Sequence, residues 1–186
     1  MRVIAGSHRG RRLSGPRGTS LRPTSDKVRE ALFSILGTRV TGGRFLDLYA
    51  GTGAVGIEAL SRGAVSVTFV EASPSTAALL RKNLHACHLA ERARVWVGLA
   101  DAFLQRRDRW DGPYNVVFAD PPYAARKELD VLAGLGRAGL LSPDAVIVVE
   151  HASLDESPER IGPARLTRRY DYGDTVLSLY QNETQQ

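Results

Sequence analysis

The sequence predicts an α/β domain built on a mainly parallel sheet, and three observations carry that expectation. Strand-like apolar segments alternate with helical ones from Arg44 onward, a glycine triplet follows the first strand, and the chain closes on two strands around a tight turn. In order, 45–49 reads as a strand and 54–62 as a helix, then 65–70 and 75–85, 95–97 and 102–107, and 115–119 with a helix within 126–138. Residues 145–149 are a nearly pure β-branched run, the pattern of a strand buried on both faces. Repeated βα units imply helices on both sides of the sheet and right-handed crossovers. Segments 165–170 and 175–180 flank Asp171-Tyr-Gly-Asp174 and predict a final antiparallel hairpin.

Ahead of the repeat, Thr24 or Ser25 caps a helix whose apolar positions Val28, Ala31, Leu32, Ile35 and Leu36 recur at helical spacing until Gly37 stops it. Lys27 and Arg29 are expected to face solvent or ligand. The first 22 residues are rich in glycine and arginine and lack acids. There, 3–5 and 11–13 suggest a small basic hairpin around a glycine turn. The expected layout is a basic arm over 1–22, a helix and connector over 23–43, the sheet domain over 44–182, and a tail over 183–186.

The chain's 186 residues, 43% hydrophobic and 24% charged, suit one domain with a substantial core and exclude disorder as a description of the whole. Cys87 is the only cysteine, so no intramolecular disulfide forms, and His85 and His88 lack partners for a metal site. No apolar run is long enough to span a bilayer or resembles a secretory leader, which predicts a soluble, cytoplasmic protein. The net charge of +5 is unevenly spread. Residues 1–44 hold ten Arg or Lys against Asp26 and Glu30, giving +8, and the remainder carries −3. A basic front end on an acidic body predicts a polyanionic partner.

Asp47-Leu-Tyr-Ala-Gly51-Thr-Gly53-Ala-Val-Gly56 is a G-x-G-x-x-G set between strand and helix, where backbone must approach a ligand closely. Glu71, at the end of the second strand, is placed to accept from both hydroxyls of a ribose. A dinucleotide and S-adenosylmethionine both suit this pattern. Asp47 favours the second, since a carboxylate before the glycines suits an ammonium and gives a pyrophosphate nothing. Asp101, after the third strand, is placed to accept from an adenine amino group or to cap the next helix. Tyr49, Thr52, Ala72 and Ala102 complete the cofactor-binding candidates.

Strand 115–119 runs into Asp120-Pro121-Pro122-Tyr123. The prolines fix φ and remove two donors, leaving a rigid rim of carbonyls. Such a rim suits methylation of a planar amino group, whose delocalised lone pair must be localised by hydrogen bonds to the Asp120 carboxylate and the Pro121 carbonyl. Tyr123 offers a face on which the target base stacks. These four are the candidate catalytic residues.

With these motifs, Arg22-Pro-Thr-Ser-Asp26-Lys-Val-Arg29-Glu30-Ala-Leu-Phe33 makes the chain resemble the RsmD family, over nearly its whole length. That family comprises bacterial 16S rRNA guanine-N2 methyltransferases that use S-adenosylmethionine. The resemblance implies a seven-stranded class I methyltransferase sheet, guanine 966 of the small-subunit rRNA as target, and an assembling 30S subunit as partner of a monomeric enzyme. Arg9, Arg11, Arg12, Arg17 and Arg22 are then the candidate RNA contacts. Ala72-Ser73-Pro74 departs from the small or acidic residue the family tends to carry after the second-strand acid, with little consequence. Asp-Pro-Pro-Tyr serves guanine and adenine amines alike, so an adenine-N6 methyltransferase and a non-catalytic assembly factor stand as alternatives.

Overall fold

The computed structural model describes residues 1–15, 25–121, 132–137 and 139–182. Its centre is an eight-stranded sheet in the order β3-β2-β1-β4-β5-β8-β7-β6. Strands β1 (Arg44–Leu48), β2 (Ser66–Glu71), β3 (Ala93–Val97), β4 (Tyr114–Ala119) and β5 (Leu141–Ala152) are parallel. β7 (Ala164–Tyr172) and β8 (Thr175–Asn182) form the expected hairpin around Gly173-Asp174, and β8 runs antiparallel to β5. The eighth strand, absent from the sequence expectation of seven, is β6 (Arg160–Ile161), a two-residue segment on the edge of β7. Two residues carry no periodicity, so no pattern could announce it.

Helices α1 (Asp26–Leu36), α2 (Ala54–Ser61) and α3 (Pro74–Ala86) cover one face, burying Leu32, Phe33, Ile57 and Leu80 against Phe45, Phe69, Phe118 and Val148. The other face is covered by α4 (Ala100–Leu104) and the turn Gly134–Gly136, around Leu46, Val117, Ile147 and Tyr180. Capping sets two of the helix starts. Ser25 accepts from the Val28 amide, and Ser73 accepts from the Thr76 amide with Pro74 opening α3. β5 is longer than expected because its pairing with β4 shifts between Tyr114 and Val116. That irregularity, carrying Pro143 and Asp144, breaks the apolar pattern. The helix expected within 126–138 falls largely outside the described residues.

The first 15 residues form a hairpin docked on the helical face. The Val3 amide donates to the Arg11 carbonyl, and Gly10 and Leu13 donate to Val3 and Met1. Val3 and Leu13 are buried in the core beneath it. Burying two such side chains stabilises docking by about 3–6 kcal/mol before entropy, enough to hold a short hairpin. Buried polar groups fix its position. Glu58 of α2 accepts from the amides of Ile4 (2.7 Å) and Ala5 (2.9 Å) and from Arg62 Nε (2.7 Å).

Arg29 corrects an expectation. It is fully buried rather than facing solvent, donating to the Arg2 carbonyl at 2.6 Å and to Asp26 at 2.9 Å. The hairpin lies over α1 and seals the guanidinium in, so a position polar by residue type is interior by packing. Burial lowers its pKa, with the Asp26 charge opposing the shift.

Candidate active site

Three carboxylates meet at the carboxyl edge of the central strands. In the register, Asp47 pairs with Phe69 on β2 and with Phe118 on β4. Glu71 and Asp120 each lie two residues beyond those partners, so strand alternation puts all three acids on the helix α2 face. Asp47 is the deepest, 1% exposed, and its Oδ2 accepts from the Gly56 amide at 2.9 Å. Burial pushes its pKa up to about 8, opposed by the Gly56 hydrogen bond and reinforced by the charges of Asp120 and Glu71. Asp120 follows β4 half-buried, and burial pushes its pKa up to about 6. Pro121 beside it is half-buried, whereas Pro122 and Tyr123 lie outside the described residues.

The glycine loop divides its labour. Gly51 has φ +54°, and nothing lies within 4 Å of where a Cβ would stand, so open space borders the backbone there. Gly53, at φ +82°, caps α2, and a Cβ on Gly56 would lie 2.2 Å from Phe69 Cε1. Only Gly51 therefore borders free space; Gly56 permits close packing of helix on strand. Glu71 holds the loop from the side, accepting from the Gly51 amide at 2.8 Å and the Ser73 amide at 2.7 Å. Each of its oxygens retains a lone pair for a further donor. Tyr49 also adopts a positive φ of 61°, a strained conformation of about 1–2 kcal/mol that its residue type does not announce. Thr52 is buried, and its carbonyl accepts from Asn83 Nδ2 at 3.0 Å.

Ala72 is exposed just after β2. Asp101 sits differently from the sequence expectation. β3 ends at Val97 and α4 begins at Ala100, so Asp101 and Ala102 lie in the helix's first turn, exposed, and Leu99 occupies the capping position. Asp101 therefore does not cap α4; its Oδ1 accepts from Gln105 Nε2 at 2.8 Å. In the hairpin, Arg9 and Arg12 are exposed, while Arg11 donates to the Ala86 carbonyl at the end of α3. Arg17 and Arg22 lie outside the described residues. Sequence reasoning missed Glu58 and Asn83, which anchor the hairpin. Their only signal was a polar residue on an otherwise apolar helix face, a pattern that does not reveal a partner.

Parallel strands ordered 3-2-1-4-5 and closed by an antiparallel pair, with a glycine loop after β1 and an acid ending β2, define a class I methyltransferase fold. The chain belongs to the family described as Conserved hypothetical protein 95, the RsmD family, whose model matches residues 1–181. It is 39% identical to YlbH of Bacillus subtilis (strain 168), over 97% of this chain and 98% of that protein. To "Ribosomal RNA small subunit methyltransferase D" of Escherichia coli (strain K12) it is 37% identical, over 100% and 91%. The solved structure of Escherichia coli yhhF superposes with a TM-score of 0.86 at 38% identity, covering 100% of this chain and 99% of that one. An RNA methyltransferase from Salinibacter ruber in complex with S-adenosyl-L-homocysteine shares the fold at 18% identity and a TM-score of 0.65, covering 87% and 95%.

Proposed function

We propose that this chain uses S-adenosylmethionine to methylate the N2 amine of a guanine in 16S rRNA, by family resemblance guanine 966, within an assembling 30S subunit in the cytoplasm. One observation carries the reading. The open space at Gly51 and the acid that opens the Asp-Pro rim stand on adjacent strands, so a cofactor along the loop would reach the target amine. The names of the 33–37% identical relatives, ribosomal RNA small subunit methyltransferase D, support the substrate class.

The residues fit such a cofactor. Asp47 and Glu71 offer anionic acceptors for an ammonium and for ribose hydroxyls, and a side chain at Gly51 would occupy the open space. S-adenosylmethionine supplies an electrophilic methyl group on a sulfonium. Asp47 accepts from the ammonium of the methionine portion, with the Gly56 amide orienting its other contact. Glu71, steadied by two loop amides, accepts from the ribose, and Asp101 from the adenine amino group. Asp120 ionises near pH 6, so at neutral pH its carboxylate accepts from the guanine NH₂ together with the Pro121 carbonyl. These bonds aim the nitrogen lone pair at the methyl group, and Asp120 Oδ is the first acceptor for the proton that leaves. Tyr123 stacks on the base, and arginines of the first 22 residues hold phosphates.

Labelled S-adenosylmethionine with 30S particles lacking the modification tests this directly. The digest is expected to contain labelled N2-methylguanosine, with Asp120→Ala retaining cofactor affinity and yielding no label. N6-methyladenosine as the product would overturn the assignment.

A further inference from the structure

Between Glu159 and Asp171 the chain carries four arginines, Arg160, Arg165, Arg168 and Arg169, and no acid. All four are exposed and lie on β6 and β7 at the outer edge of the sheet. Arg160 and Arg165 pair directly across the two strands, and each engages other groups of the protein. Beyond that pairing β6 ends, so the stretch of β7 carrying Arg168 and Arg169 is itself the sheet edge.

The register relates this edge to the candidate site. Leu177 of β8 pairs with both Glu150 and Tyr170, and Glu150 lies one residue beyond Val149, the partner of Ala119. Tyr170 therefore stands level with Asp120, three strand spacings away, or about 14 Å. Arg168 pairs with Leu179, which is packed in the α2-side core, so it lies on the face that carries Asp47 and Asp120. Its guanidinium lies 5.7 Å from the centre of the Tyr170 ring. Arg169 pairs with Ser178, one position along, and points to the opposite face. The two guanidinia thus straddle the rim of one strand. The basic hairpin is anchored by Glu58 of α2 and Asn83 of α3, over β1 to β3. Asp120 on β4 lies between that hairpin and β7.

We propose that the edge of β7, through Arg168 and Arg169, is a second phosphate-binding track that grips the rRNA backbone across the cleft from the N-terminal hairpin. The proposal rests on the rRNA-methyltransferase reading and adds where the strand beyond the target nucleotide is held. Charge on an edge strand also deters strand-to-strand aggregation, but either sign serves that purpose. An acid-free run of arginines level with the reacting edge suits a polyphosphate, and guanidinium forks match phosphate oxygens.

The double variant Arg168→Glu/Arg169→Glu separates these roles, because it keeps the edge charged while repelling phosphate. Binding to 30S particles lacking the modification is measured against salt, with S-adenosylmethionine affinity and sedimentation in parallel. The expected result is RNA affinity reduced about tenfold or more and a log–log salt slope shallower by about two units, with cofactor affinity and sedimentation unchanged. Unchanged RNA affinity and slope in the variant, with a wild type that binds and methylates, overturns the second track alone. A wild type that binds no rRNA overturns the functional reading as well.

Discussion

Asp47 concentrates the electrostatic cost of the site in one side chain. Its folded pKa of about 8 lies above the ordinary 3.8, chiefly through burial. Between about pH 4 and pH 8 the folded chain therefore holds a proton that the unfolded chain has released, so rising pH favours unfolding. Asn at this position keeps an acceptor for the Gly56 amide and removes the charge. The Asp47→Asn protein without ligand is expected to melt higher than wild type at pH 8, with the gap closing toward pH 4. Calorimetric melts across that range check this, and a pH-independent gap would contradict it. The same substitution is expected to weaken S-adenosylmethionine binding at least tenfold at pH 8, since an arriving ammonium stabilises the carboxylate that Asn lacks. The presence of an acid before the glycines is plain from residue type. That it is buried beside two other carboxylates follows only from the pairing of β1 with β2 and β4.

At the scale of elements, the three glycines of the loop look equivalent in sequence and differ in the fold. Gly56→Ala drives a methyl group into Phe69 and Val67, at 2.2 Å and 2.9 Å, and is expected to destabilise the protein by about 1–3 kcal/mol or more. Gly51→Ala meets nothing within 4 Å and carries only the strain of positive φ, about 1 kcal/mol. It is expected to fold yet lose cofactor affinity at least tenfold, because its methyl group stands in the open space. Paired denaturation and calorimetric titration separate the two, and the opposite ranking would refute this division of roles. Most strands and helices were legible because their periodicities are strong. β6 was too short, β5 was interrupted by a register shift, and α4 started two residues before its expected place. Leu99, which has no capping side chain, gave no start signal there.

Across the whole molecule, the basic hairpin is joined to the glycine loop rather than hung from the domain. Asn83 accepts from the Ser14 amide at 2.8 Å and donates to the carbonyls of Ser14 and Thr52, both at 3.0 Å. Glu58 supplies the other anchor. Glu58→Gln removes a charge and one acceptor from a site that satisfies two amides and Arg62. The expected loss is about 1–3 kcal/mol. Hydrogen exchange is expected to show lost protection at the amides of Val3, Ile4 and Gly10, together with weaker RNA binding. Retained protection at those amides would refute the anchoring role. The charge split first met as +8 and −3 also gains detail, since four arginines of the acidic body gather on one edge strand. An average over 142 residues conceals them.

The sequence alone determined the order of strands and helices, the glycine loop, the Asp-Pro rim and the basic front end. Each is written in local periodicity or in residue types whose chemistry is intrinsic. Only the tertiary structure decided which acids share a face, that Arg29 is interior, which glycine borders open space, and which arginines stand level with Asp120. Those depend on strand register and on what packs over each side chain, and contacts between residues distant in sequence set both.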